Sequence, residues 1–391
     1  MSSIEPSREK TQILKVDPSL ISFQAGVDLP EIPFNSETYR NLLMAADVLK
    51  NTDKPVAFPT ETVYGLGGNA LSTASILSIY KAKNRPADNP LIIHVASPSQ
   101  ISRLLKTAVP EIYEPLISKF WPGPLSILLP CDSKTTSISS ACTVGQDTFA
   151  VRIPSHPVAR ALIAISDLPL AAPSANASTK PSPTLASHVL DDLDSKIPLI
   201  LDGGPCSVGV ESTVINGLVD PPIILRPGGI SVEEIRLVGG KRWENVIVGK
   251  RDAKDDEIVR TPGMKYRHYS PKARVILFEN CSEEELVNLI RNQKLKYPDS
   301  PIAMLTGKAF SSFNYKEHGI SIQRHLGNDS EVVSRNLFAM LREVDSLLSG
   351  HSDGIILVEG LNENVESGLN MAVMNRLLKA AGQVVVGTKA I

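Results

Sequence analysis

The chain carries four cysteines, Cys131, Cys142, Cys206 and Cys281, far apart and with no Cys-x-x-Cys pair. That scarcity argues against a zinc site and a disulfide framework, and it reads as inert thiols in a reducing cytosol. Long apolar runs are missing too: no stretch reaches the ~20 residues that a membrane-spanning helix needs. Residues 1–15 mix Glu5, Arg8, Glu9 and Lys10 with no apolar centre, unlike a secretory signal, and their acidic residues argue against a mitochondrial leader. Neither charge is in surplus. Lys and Arg number 40 against 42 Asp and Glu, for a net charge of −2. No whole-molecule basic field therefore draws nucleic acid or acidic lipid, and any such contact needs a local patch. A Gly-x4-Gly-Lys-Ser/Thr loop is absent, which removes P-loop chemistry.

What remains is a soluble globular composition, 42% hydrophobic and 21% charged over 391 residues. That length predicts two domains. Residues 1–35 read as a flexible N-terminal extension. Ser36–Asn51 has Leu42, Leu43, Ala46 and Leu49 at helical spacing. Val56–Phe58 is a short strand, and Ser72 caps a helix running to about Lys83, stopped before Pro86. Strands are expected at Leu91–Val95, Leu125–Leu129, Phe149–Ile153, Leu199–Asp202, Thr213–Asn216 and Ile223–Leu225. Helices are expected at Glu111–Phe120, Val158–Ser166 and Thr184–Leu190. Irregular alternation of this kind predicts an α/β or α+β fold with a mixed sheet.

After Ile230 the composition changes. Lys250–Arg260 is a charged run, and Pro262–Lys272 is rich in turn formers and basic residues. A second alternation follows: Arg274–Phe278, a helix at Glu283–Gln293, Ile302–Leu305, a helix at Ser330–Leu348, Ile355–Val358 and a helix at Met371–Ala380. It predicts a small three-layer domain. The expected division is thus 1–35, 36–232, a linker at 233–272, and 273–391.

Polar residues recur on short loops between the apolar runs of the first domain, where sites are commonly built. Lys83 and Arg85 sit at a helix C-terminus, whose partial negative charge repels an anion, so a phosphate there needs the side chains themselves. Alone, the pair reads first as a solvated complement to the helix dipole. Pro173-Ser174-Ala175-Asn176 offers two short polar groups at a strand end, extended by Ser178, Thr179, Lys180 and Ser182; alone it is an ordinary turn. Arg152, in the alternating Phe149–Ile153, is either a paired structural cation or an anchor for a carboxylate. His94 ends an apolar strand and reads first as a satisfied core histidine. Glu61 and Glu211 are acid-base candidates or loop organisers.

Gly65-Leu66-Gly67-Gly68-Asn69-Ala70 nearly matches the dinucleotide fingerprint, but Thr60–Tyr64 separate it from a short strand. Asp88, at roughly the right distance, lies in a Pro-rich loop, so the reading is rejected. Met264–Tyr269 is basic and aromatic with no acidic residue. It reads as a plain linker, as a strap closing over an anionic ligand, or as a holder of single-stranded nucleic acid.

Taken in order, Pro59–Gly67, Lys83–Pro86, Asn89–His94, Thr148–Arg152, Pro173–Asn176, Glu211–Thr213, Leu225–Gly229 and Pro262–Pro271 resemble the YrdC-like family, and closely its two-domain threonylcarbamoyl-AMP synthases. The likeness is strong over about residues 40–232, runs through the linker, and is looser beyond it. It implies a twisted mixed sheet flanked by helices, a linker acting as active-site lid, and a smaller Rossmann-like α/β domain that positions the lid. It implies a nucleotidyltransferase making L-threonylcarbamoyladenylate and pyrophosphate from ATP, L-threonine and bicarbonate, with Mg2+ accompanying ATP and no organic cofactor. The product would serve N6-threonylcarbamoyladenosine formation in ANN-decoding tRNAs, a separate complex making the transfer. A cytoplasmic protein is expected, with a minor mitochondrial or nuclear pool left open and no membrane partner. Weak RNA or single-stranded DNA binding stands as the alternative.

Carried over by position, Arg85, Asn89, Thr148, Ser174, Ser182, Arg226 and His268 resemble ATP contacts. Thr62, His94, Arg152, Ser212 and the backbone near Ala172 resemble threonine contacts. Lys83, Arg85, Ser174 and Asn176 form the family's Lys-x-Arg and Ser-x-Asn pairs and are the catalytic candidates. Ser126 stands where threonine is common and keeps the hydroxyl. Phosphoryl transfer asks for positioning and charge neutralisation, and a labile carbamate asks for exclusion of water. No side chain stands out as a general base.

Overall fold

The structure, a computed structural model, describes residues 10–132, 134–249, 268–349, 353–361 and 368–388. The charged run at 250–260 and the strap residues Met264–Arg267 lie outside these.

Among the described residues the larger sheet contains β1 (Gln12–Lys15), β2 (Val56–Phe58), β3 (Gly65–Asn69), β4 (Ile93–His94), β5 (Leu125–Pro130), β6 (Thr148–Arg152), β7 (Leu170–Ala171), β8 (Leu199–Asp202), β9 (Thr213–Asn216), β10 (Ile223–Arg226) and β11 (Ile247–Val248). Their spatial order is β1-β8-β2-β3-β7-β4-β6-β5-β9-β10-β11, with parallel and antiparallel neighbours mixed. Alternation divides the strands between two apolar layers. Ile93, Val151, Ile127 and Ala171 face the layer beneath helix Thr73–Lys83. Leu170, Phe58, Leu199 and Leu201 face helices Glu37–Asn51 and Pro157–Ser166.

Local signals set the boundaries. Ser36 accepts from Tyr39 N at 3.1 Å and Ser72 from Ser75 N at 3.2 Å, each satisfying a donor of the first turn. Helix Thr73–Lys83 stops at Asn84, which is left-handed with φ 50°. The glycines of β3 serve packing. A Cβ at Gly67 would stand 2.5 Å from the Phe58 ring, and one at Gly68 2.6 Å from Ser75 Oγ. This run lets a strand lie close against its neighbours, in keeping with the rejection of the dinucleotide reading.

One expectation is corrected. The stretch read as a flexible extension is folded over residues 10–35: β1 pairs in parallel with β8, and Val16, Ile21 and Ile32 are buried in the core. A four-residue strand with exposed Gln12, Ile13 and Lys15 gives little sequence signal, and long-range pairing overrides it.

The smaller sheet is parallel throughout, in the order β14-β13-β15-β12-β16, with β12 (Arg274–Glu279), β13 (Ile302–Thr306), β14 (Ile322–His325), β15 (Ile355–Glu359) and β16 (Gln383–Val386). Helix Glu283–Lys296 covers one face through Ile276, Phe278 and Met304. Helices Ser330–Leu347 and Gly368–Ala380 cover the other through Val275, Leu277 and Leu305. This is the expected Rossmann-like three-layer unit.

That second face meets the first sheet's loops. Val63 and Tyr269 join its apolar cluster, and Tyr269 stacks on Phe338 with centroids 5.2 Å apart. Arg342 pairs with buried Asp192 at 2.7 Å, and its Nε donates to Pro181 O at 3.0 Å. The Ser334 hydroxyl donates to Val208 O at 2.9 Å. Beside it Gly209 has φ +82°, and a Cβ there would lie 2.4 Å from Arg335 Cα, so only glycine fits this seam.

Candidate active site

Strand ends collect the polar residues. His94 and Arg152 close β4 and β6 side by side in parallel register, Arg226 closes β10, and Ser212 precedes β9. The loops after β2, after helix Thr73–Lys83 and after β7 complete a cavity of about 400 Å3. His268 and Tyr269, in the C-terminal part of the linker, also line it.

The cavity is lined by the expected residues Thr62, Lys83, Arg85, Asn89, His94, Arg152, Ala172, Ser174, Asn176, Ser212, Arg226 and His268. Thr148 and Ser182 do not line it. Thr148 opens β6 while Arg152 closes it, which puts about 13 Å between them at strand rise. Ser182 is fully buried, and its hydroxyl donates to Glu211 Oε1 at 2.6 Å, so it stands behind the wall. Lining residues that were not singled out as site residues include Thr60, Asn84 and Asp88, while Glu211, an acid-base candidate from the sequence, lines it too. The polarity of their loops was the available signal for these.

The cations differ in what they already hold. Lys83, read as neutralising a triphosphate, is instead turned inward: its ammonium donates to Ser174 O and, at 2.6 Å, to Asn176 O. Burial first, then Arg85, pushes its proton affinity well down. Lys83 thereby ties down the Ser174–Asn176 loop from the cavity wall. Within that loop the Ser174 hydroxyl donates to Asn176 Oδ1 at 2.5 Å, while Asn176 Nδ2 donates to Lys180 O at 3.0 Å.

Arg226 donates from Nη2 to Ser212 O at 3.0 Å and to Ser212 Oγ at 3.1 Å, and burial lowers its pKa to about 10. Ser126 Oγ lies 2.8 Å from Ser212 Oγ, so the hydroxyl at this position has a partner. Arg152 donates from Nε to Gly123 O at 3.1 Å and from Nη1 to Thr62 Oγ1 at 2.9 Å. Its Nη2 stands 2.6 Å from Glu61 Oε1 without hydrogen-bond alignment. Arg85 differs from all three: among the described residues its guanidinium has no hydrogen-bond partner, and one of its nitrogens is buried.

His94 is buried, with Nδ1 3.2 Å from Ile92 O, which can only accept. Burial, then the nearby Arg152, lowers its pKa to about 3. A neutral imidazole so reluctant to protonate serves as a hydrogen-bonding wall, and it is a poor proton acceptor near neutrality. Its folded pKa lies below the unfolded value, so its neutral form is kept above about pH 6.5. Stability is lost as pH falls from there toward 3, by about 1.4 kcal/mol per unit. Between pH 7.5 and 5.0 the parent should therefore lose about 2 kcal/mol more than His94→Gln in urea unfolding. Equal losses in both proteins would refute that origin.

Glu211 takes Ser182 on Oε1 and, on Oε2, Arg376 Nε at 2.9 Å from the second sheet's last helix. Burial pushes its carboxyl up, but Arg376, Arg226 and Ser182 outweigh this and hold it below the usual range. Arg376 escaped the sequence reading because its partner is 165 positions away. An arginine within the apolar pattern of Met371–Ala380 was the only trace.

Residues 48–228 match the family model described as Telomere recombination, which spans Sua5, YciO and YrdC. Residues 230–382 match the model described as Threonylcarbamoyl-AMP synthase, C-terminal domain. The chain is 52% identical to the threonylcarbamoyl-AMP synthase of Schizosaccharomyces pombe over 97% of its own length and 99% of the relative's. To the Bacillus subtilis protein of that name it is 43% identical, over 86% and 92%. A crystal structure of Pyrococcus abyssi Sua5 complexed with L-threonine superposes with a TM-score of 0.79 at 40% identity, covering 96% of this chain and 99% of that one.

Proposed function

The chain belongs to the threonylcarbamoyl-AMP synthase family, and we propose on that premise that it joins ATP, L-threonine and bicarbonate into L-threonylcarbamoyladenylate, releasing pyrophosphate. The observation that carries this is the guanidinium of Arg85, which among the described residues holds no hydrogen-bond acceptor, at a cavity whose other cations already hold protein groups. A triphosphate needs a cation with free donors, and a planar guanidinium can engage two phosphate oxygens at once.

The threonine amine adds carbon dioxide from bicarbonate, with loss of water, and gives a carbamate. A carbamate oxygen then attacks the α-phosphorus, and the bond to the β,γ-phosphates breaks to release pyrophosphate. Arg85, Asn89, Ser174, Arg226 and His268 are assigned to the nucleotide. Thr62, His94, Arg152, Ser212 and the Ala172 backbone are assigned to threonine. Thr148 and Ser182 take no direct contact in this assignment. His94, neutral and a weak base, orients threonine and leaves the proton of the amine to solvent or bicarbonate. Glu61 and Glu211 each face an arginine, so Mg2+ is assigned to enter on the phosphates of ATP. His268 and Tyr269 cover the cavity and keep water from the carbamate. The product would supply the threonylcarbamoyl group for adenosine in ANN-decoding tRNAs through a separate transferase.

The test is pyrophosphate release by purified protein with ATP, Mg2+, L-threonine and bicarbonate, omitting each in turn. Release is expected to require all of them and to yield a labile threonylcarbamoyl-adenylate. Release without threonine would replace this reading with ATP hydrolysis. No release, together with salt-sensitive binding of single-stranded RNA, would favour a nucleic-acid-binding role.

A further inference from the structure

The second domain places a side chain directly behind the wall of the cavity. Arg376, on helix Gly368–Ala380, is fully buried. Its Nε donates to Glu211 Oε2 at 2.9 Å, and its Nη1 donates to Pro227 O and to Ala372 O. Glu211 lines the cavity beside Ser212, on which Arg226 rests through its Nε and Nη2. Arg376 thus pairs with Glu211, and Arg226 rests on the next residue in the chain, near enough for its charge to help hold the Glu211 carboxyl below its usual range.

A buried carboxylate deprived of its partner costs several kcal/mol and recruits whatever cation can reach it. Beside Glu211 that cation is Arg226. With Arg376 in place Glu211 is satisfied from behind, and Arg226 stays on Ser212 at the cavity. Docking of the two sheets does not need Arg376 for its own sake, since Arg342–Asp192 and Ser334–Val208 also join them.

We propose that Arg376 is a positioning residue of the active site: by holding Glu211 it keeps Arg226 turned to Ser212 and the nucleotide. The second domain is then part of the nucleotide site. This rests on the reading of the cavity as the ATP and threonine site.

The test is MgATP binding by calorimetry on full-length protein. R376Q is expected to weaken ATP about tenfold or more, because the unpaired Glu211 draws Arg226 away. R376K keeps the charge and should stay within about threefold of the parent. The decisive protein is E211Q/R376Q. Removing the carboxylate frees Arg226, so the double variant should bind ATP about fivefold more tightly than R376Q although it has lost a further seam hydrogen bond. An Arg376 that only docks the domains predicts a double variant at least as weak as R376Q, and that result overturns the proposal. If R376Q does not fold, R376K and the double variant, neither with an unpaired buried charge, should each bind within about fivefold of the parent, and a tenfold loss in either overturns it. R376Q with parental affinity overturns it while leaving the synthase reading intact. A parent protein that binds no ATP removes both.

Discussion

Arg85→Ala is expected to lower ATP-dependent pyrophosphate release about 100-fold or more while leaving folding stability within about 0.5 kcal/mol of the parent. The asymmetry follows from what each cation already holds. Lys83 donates to the carbonyls of Ser174 and Asn176, Arg226 to Ser212, and Arg152 to Gly123 and Thr62. Removing any of those leaves buried acceptors unsatisfied. Arg85 is half-buried and its guanidinium holds no acceptor among the described residues, so its loss leaves no such debt in the fold. Its position makes it hard to replace. It follows the C-terminus of helix Thr73–Lys83, where backbone carbonyls point outward and repel an anion, so the phosphates must be met by the side chain. The left-handed Asn84 and the Arg85 N–H bond to Tyr80 O at 3.0 Å fix the point from which it projects. Steady-state release at saturating threonine and bicarbonate, with thermal unfolding of the same samples, checks both halves. Parental turnover would remove Arg85 from the phosphate site. A large loss of stability would mean that it has a structural partner.

Local pattern made much of the fold legible. Ser36, Ser72 and Pro86 mark helix ends, and the runs around Leu125, Leu199 and Thr213 are strands within a residue or so of where they were expected. What escaped depends on distant partners. β3 is a glycine-rich strand of low intrinsic preference, held by close contact with Phe58 and Ser75. β1 exists because β8 pairs with it. β14 and β16 are four-residue edge strands with no buried residue, so alternation says little about them. The same rule divides the site. Loops between apolar runs announce Arg85, Ser174, Ser212 and Arg226, because polar residues there have no structural duty that their neighbours predict. Which way a charge points was not legible. Lys83 turns inward, Ser182 faces Glu211, and Arg376 arrives from another sheet.

Arg152→Met alone is expected to cost about 3–5 kcal/mol of stability, because it strands the Glu61 carboxylate in the interior. Adding Glu61→Gln should restore most of that loss, since a neutral pair replaces a buried ionic one. Threonine-dependent turnover should nevertheless stay about 100-fold down in the double variant. The sequence leaves two readings of Arg152, a paired structural cation or an anchor for a carboxylate, and the geometry lets one side chain serve both. Nε and Nη1 are committed to Gly123 O and Thr62 Oγ1. Nη2 is held near Glu61 by charge at 2.6 Å but is not aligned for a hydrogen bond, and among the described residues neither Glu61 oxygen has an aligned donor. Charge is thus balanced while a donor direction stays open, and a substrate carboxylate in the cavity would take it. Thr62 is fixed in turn: the Thr60 hydroxyl donates to Val63 O at 2.6 Å, so the Thr62 hydroxyl donates to Thr60 and its oxygen is free to accept from Arg152. A chain of single-direction bonds therefore runs from Arg152 to Val63, which packs in the second sheet's core, and it sets the guanidinium before substrate arrives. Urea unfolding of the parent, the single and the double variants gives the structural part, and pyrophosphate release against threonine concentration gives the other. A double variant that is stable and turns over threonine like the parent would reduce Arg152 to its structural role. One that is stable and inactive separates the two roles within a single residue.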